Sequence, residues 1–74
     1  MNHNRKLGAY IRFKRKQNGL TLPALAERAE ISKGGLSKIE NGKGNPSLRT
    51  IVFLANALEI GAGQMLSVSF DELP

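Results

Sequence analysis

The chain has 74 residues, enough for one domain, and a chain of that size buries only about 60% of the surface its unfolded form exposes. It has no cysteine, which excludes a disulfide framework and a thiolate metal site and fits a reducing compartment. Eleven basic and six acidic side chains leave a net charge of +5. Residues 1–49 hold all eleven bases with only Glu27, Glu30 and Glu40, whereas 50–74 hold only Glu59, Asp71 and Glu72. A basic front half ahead of an acidic back half points to a polyanion on one side, and the bland alternative is a solvated basic surface.

Helical periodicity dominates from the start of the chain. Leu7 and Ile11 lie four apart with Lys14 next on that face, and Gly19 stands where a first helix needs a left-handed residue to close. Thr21 has the type of an N-cap, Pro23 falls in the first turn, where its missing N–H costs nothing, and Leu25, Ala26 and Ala29 fill a short second helix over 22–29. Ile31 reads as a buried turn residue. Ser32 caps a third helix over 33–41 that turns Leu36 and Ile39 inward and ends at Asn41-Gly42.

Residues 43–46 form a loop. Ser47 then caps a fourth helix with Leu48, Ile51, Leu54, Ala55 and Leu58 on one stripe. Residues 61–63 read as loose, and 64–66 as a short fifth helix or turn. Leu66, Val68 and Phe70 alternate with Ser67, Ser69 and Asp71, a strand-like period over five residues. No stretch approaches the roughly 18 apolar residues of a membrane span, and the basic N-terminus lacks the apolar block of a signal peptide, so a cytoplasmic protein with no membrane partner is expected.

The ordered string Leu7, Ile11-Arg12, Arg15, Gly19-Leu20-Thr21, Leu25-Ala26, Ile31-Ser32, Leu36-Ser37-Lys38-Ile39-Glu40-Asn41-Gly42, Asn45-Pro46-Ser47-Leu48, Ile51 and 55–58 resembles the Xre-type (Cro/cI-repressor-like) helix-turn-helix family over about residues 7–66. The resemblance implies an all-α, compact five-helix lambda-repressor-like domain over 1–74, with 67–74 as a tail. It also implies sequence-specific binding of double-stranded DNA by a transcriptional regulator, most often a repressor acting as a homodimer on a palindromic operator.

By similarity, Lys33, Gly34, Ser37 and Lys38 face base edges. Helical spacing puts them on one face, opposite Leu36 and Ile39. Phosphate contacts are expected from Thr21 and Leu22 through the N–H groups opening the second helix, from Ser32 opening the third, from Asn41 and Lys43 beyond it, and from Arg12 with Lys14 and Lys16 on the first helix. The resemblance further implies a structural ion pair between Arg15 and Glu40, with phosphate contact the alternative for Arg15.

Three departures from the family pattern stand out. Gly34-Gly35 lie inside the reading helix, Leu22 stands where a phosphate-clamping glutamine is usual, and Phe13 and Phe53 occupy usually polar positions. Phe53 with Met65, Leu66, Val68 and Phe70 is expected either to build a homodimer interface or to be covered by the tail folding back.

No catalytic constellation is legible. His3 is a lone terminal histidine, Glu27 and Glu30 lack a pocket, and Gly42-x-Gly44 is a turn, so no enzyme, cofactor or metal is expected. Alternatives to the repressor are a restriction–modification controller protein contacting polymerase, an antitoxin engaging a toxin through 67–74, and a domain that has lost DNA reading.

Overall fold

The computed structural model describes residues 3–70 and contains five helices, α1 (His3–Gln17), α2 (Leu22–Arg28), α3 (Lys33–Glu40), α4 (Leu48–Ala57) and α5 (Ala62–Phe70). Their starts follow from hydroxyl caps. Thr21 accepts from the Ala24 N–H at 3.2 Å, Ser32 from Gly35 at 2.9 Å and Ser47 from Thr50 at 3.2 Å. Each side chain satisfies one N–H that the helix cannot, so Ser47→Ala should lower unfolding free energy by about 1 kcal/mol in denaturant titrations.

The first four helices also end alike. Past each last turn one residue takes a left-handed backbone: Gly19 (φ 71), Glu30 (φ 59), Gly42 (φ 75) and Glu59 (φ 61). The N–H two places beyond each cap reaches back five residues, as in Leu20 to Arg15 (3.0 Å), Ile31 to Ala26 (3.0 Å), Lys43 to Lys38 (2.9 Å) and Ile60 to Ala55 (2.9 Å). This satisfies carbonyls that would otherwise be orphaned. Ile31 and Ile60 then pack on the core as apolar clips.

Glycine suits such a position and glutamate does not, since a β-carbon there costs about 1–2 kcal/mol. After the extra chain entropy of glycine, Glu30→Gly and Glu59→Gly should each stabilise the fold by about 0.5–1 kcal/mol, read as a rise in thermal midpoint.

Leu7, Ile11, Leu25, Leu36, Ile39, Ile51, Leu54, Leu58 and Met65, with Ala26, Ala29 and Ala55, form one core cluster. α1 crosses both α3 and α5, α2 packs on α3 and α4, and α4 packs on α5. The α1–α3 crossing is unusually close. A β-carbon on Gly8 would collide with the carbonyl oxygen of Ile39 and lie 2.9 Å from that of Glu40.

The structure corrects five of the expectations. The strand-like alternation of Leu66, Val68 and Phe70 lies in α5, and the span 61–63 is not loose, because α5 begins at Ala62 with Met65 N–H bonded to Gly61 O at 3.1 Å. A five-residue strand would need a ladder partner, and no strand exists among the described residues, whereas a helix satisfies its own backbone. Leu48 is not on the buried stripe; it opens α4 beyond the edge of the core and is 64% exposed. Ile31 is half-buried rather than buried. Met65 is fully buried among the chain's own core residues, so it is not available as an interface side chain on the surface.

Candidate nucleic-acid interface

α2, the connection 29–32 and α3 make two capped helices joined by a tight turn. α3 is fixed from beneath by Leu36 and Ile39, which face the core, and from its end by Glu40. Glu40 is buried and receives two hydrogen bonds from Arg15 of α1, Nε to Oε2 at 2.7 Å and Nη2 to Oε1 at 3.1 Å. Arg15 Nη1 also donates to Leu20 O at 2.9 Å, so the same guanidinium ties the α1–α2 connection to the end of α3. These bonds and the charge of Glu40 outweigh desolvation and hold the Arg15 guanidinium above its ordinary value. A raised value of this kind supplies stability below the ordinary arginine range and loses it only at more alkaline pH, so Arg15 stays charged under working conditions.

With its inner face held, α3 presents Lys33, Gly34 and Lys38 to solvent, with Ser37 half-buried between them. At about 100° per residue, Lys33 and Lys38 bound a face roughly 140° wide whose middle holds only Ser37 and Gly34. A β-carbon on Gly34 would meet nothing within 4 Å, so no packing demands a glycine there.

The expected phosphate positions have mixed exposure. Thr21, Ser32, Asn41 and Lys43 are exposed and Leu22 is half-buried. The hydroxyl oxygens of Thr21 and Ser32 accept the cap bonds, which leaves each O–H free to donate outward. Arg12 points its Nε at Glu40 Oε1 from 4.0 Å with a 54% exposed side chain, so part of its charge is offset by a carboxylate already bound to Arg15.

Of the expected interface group, Phe53 is half-buried against the core and carries Arg49 over its ring at 5.3 Å, and Leu66 is half-buried. The side chains of Val68 and Phe70 and the residues 71–74 lie outside the described part.

Besides the close approach at Gly8, two features escaped the sequence reading. One is a groove of about 290 Å³ beside α3, lined by Ile31, Lys38, Ile39, Pro46 and Thr50 among others. The other is the pair of left-handed glutamates, whose only signal is the repeated Glu-Ile at the ends of α2 and α4. Among the described residues no group of three or more His, Cys, Asp or Glu could hold a metal ion, and no helix is long and apolar enough to cross a membrane.

These elements define a helix-turn-helix domain. The family model HTH_3, Helix-turn-helix, matches residues 11–63, and the chain belongs to that family. An immunity repressor protein of Bacillus phage phi105 is 43% identical over 54 residues, 73% of this chain and 38% of that protein. The restriction–modification controller protein C.AhdI of Aeromonas hydrophila superposes with a TM-score of 0.81 at 31% identity, covering 84% of this chain and 94% of that one. SinR, a master regulator for biofilm formation solved in complex with DNA, superposes with a TM-score of 0.74 at 34% identity, covering 81% of this chain and 97% of that one. The chain spans between 38% and 54% of the length of the curated relatives it matches. Those relatives are named as repressors or transcriptional regulators rather than enzymes.

Proposed function

We propose that this chain binds double-stranded DNA sequence-specifically and represses transcription as a homodimer on a palindromic operator. The observation that carries the reading is the solvent-facing Lys33–Gly34–Ser37–Lys38 face of α3, rigidly held by the Arg15–Glu40 pair. SinR, which shares this fold at 34% identity, was solved in complex with DNA, which supports the same partner here. In this reading Lys33, Gly34, Ser37 and Lys38 enter the major groove. Thr21, Leu22, Ser32, Asn41, Lys43 and Arg12 set register on phosphates. The homodimer forms through the Phe53 and Leu66 side of α4 and α5, with Val68 and Phe70 as further candidates. The protein works in the cytoplasm.

The test is a titration of cognate duplex with the wild type, Lys33→Ala and Lys38→Ala. Each variant should lose about 1–3 kcal/mol of binding free energy on the cognate site and much less on random DNA. Equal losses on both duplexes would make these lysines phosphate ligands and refute base reading. Light scattering coupled to size exclusion tests the dimer, and a monomer at micromolar concentration on and off DNA would refute it.

The coverage of C.AhdI along 94% of its length favours one second reading, a restriction–modification controller that also activates. Adjacent methylase and endonuclease genes would distinguish it from a simple repressor.

A further inference from the structure

The reading face carries hydrogen-bond donors of one kind at its edges. Lys33 and Lys38 are exposed, and each ends in an ammonium that donates and cannot accept. The middle of the face is nearly bare. Gly34 has no side chain, and Ser37 offers one half-buried hydroxyl. Ser32, the neighbouring hydroxyl, already accepts the Gly35 N–H at 2.9 Å. Within α3 no residue carries a carboxamide, so bidentate reading of adenine by Asn or Gln is left to Asn41, the exposed cap at the far end of the helix, which is assigned to phosphate above. Glu40, the only acid in α3, is buried under Arg15.

Resting on the DNA-binding reading above, we infer that each operator half-site is read as two guanines, one by Lys33 and one by Lys38, flanking at least one base pair on which the protein imposes little preference. Guanine alone presents two acceptors, O6 and N7, on its major-groove edge, which is what a pure donor can use. The two lysines are rooted about 7.5 Å apart along the helix axis, roughly two base-pair steps, so the guanines are not adjacent. The intervening pair lies opposite Gly34 and Ser37. The small middle of the face also lets the helix axis approach the groove floor, which shortens the reach of both lysines to the bases.

The experiment replaces guanines one at a time in the best duplex recovered from a randomised pool and measures binding of the full chain. 7-Deazaguanine removes the N7 acceptor, and inosine leaves O6 and N7 in place while removing the minor-groove amino group. The inference predicts about a ten-fold or greater loss with 7-deazaguanine at two non-adjacent positions per half-site and little change with inosine. It further predicts that Lys33→Ala abolishes the loss at one position and Lys38→Ala at the other. Circular dichroism establishes that each variant is folded. An enriched half-site without guanines, equal losses with inosine, or guanine dependence surviving both lysine variants would overturn the inference while leaving DNA binding intact. Failure to bind any duplex would overturn the proposed function and this inference with it.

Discussion

Gly8→Ala should unfold the protein or leave it barely stable at 25 °C. The new methyl group would sit against the carbonyl oxygens of Ile39 and Glu40, which are backbone atoms at the end of α3 and cannot turn aside as a side chain would. Relief requires moving α1 off α3, and that breaks the burial of Leu7 and Ile11 on one side and Leu36 and Ile39 on the other. Overpacking a well-filled core costs about 1–3 kcal/mol when side chains can adjust, and a backbone clash takes the value to the top of that range or past it. A domain of this length holds only about 4–11 kcal/mol in total. Helical signal in far-ultraviolet circular dichroism should therefore fall, or the urea midpoint should drop by more than a third. An unchanged midpoint would mean that α1 and α3 are farther apart in solution. Gly34→Ala is the natural control, since a β-carbon there meets nothing and should strengthen α3 by about 1 kcal/mol.

The second large effect lies in the Arg15–Glu40 pair. Arg15→Met leaves the Glu40 carboxylate buried without its two donors, and Glu40→Leu leaves a buried guanidinium with only Leu20 O. Each single change should destabilise by about 3–5 kcal/mol, because the uncompensated charge is the penalty. The double variant Arg15→Met/Glu40→Leu should recover most of that loss, since an apolar pair of similar volume needs no solvation. Denaturant titrations of all four proteins form the cycle. Additive losses in the double variant would contradict the pairing. Its affinity for duplex DNA separates two roles: if the pair also holds the end of α3 in place for binding, the stable double variant should bind more weakly than the wild type, and an unchanged affinity would leave the pair a stabilising role alone.

The parts of the fold with short-range causes were legible in the sequence. Thr21, Ser32 and Ser47 announce helix starts because a hydroxyl before an apolar period is what orphan N–H groups require, and the structure shows all three accepting those bonds. Gly19 and Gly42 announce two of the ends. Glu30 and Glu59 end two helices in the same left-handed geometry, but glutamate carries no turn signal and is held there by the isoleucine that follows.

The tail misled for a related reason. Alternation over 66–70 fits a strand locally, whereas packing of Met65 into the core and the bond from Gln64 Nε2 to Tyr10 Oη at 3.0 Å belong to a helix docked on α1, a tertiary fact. The same docking moves Met65 from an expected surface into the interior. Gly8 was invisible because its role depends on a crossing 31 residues away in sequence. For the candidate site, the exposed face of α3 followed from the positions of Leu36 and Ile39, while the groove beside it depends on where the loop 44–47 lies, which no local pattern encodes.

The most direct test of the central claim, sequence-specific reading of duplex DNA by α3, is selection from a random duplex pool with purified protein, followed by titration of the winner and of random DNA at two salt concentrations. The account predicts an enriched palindrome, its half-sites about one helical turn apart, bound at least about a thousand-fold more tightly than random DNA. Salt-sensitive binding with no enriched motif would contradict it, because a basic surface would then be holding phosphates and α3 would be reading nothing.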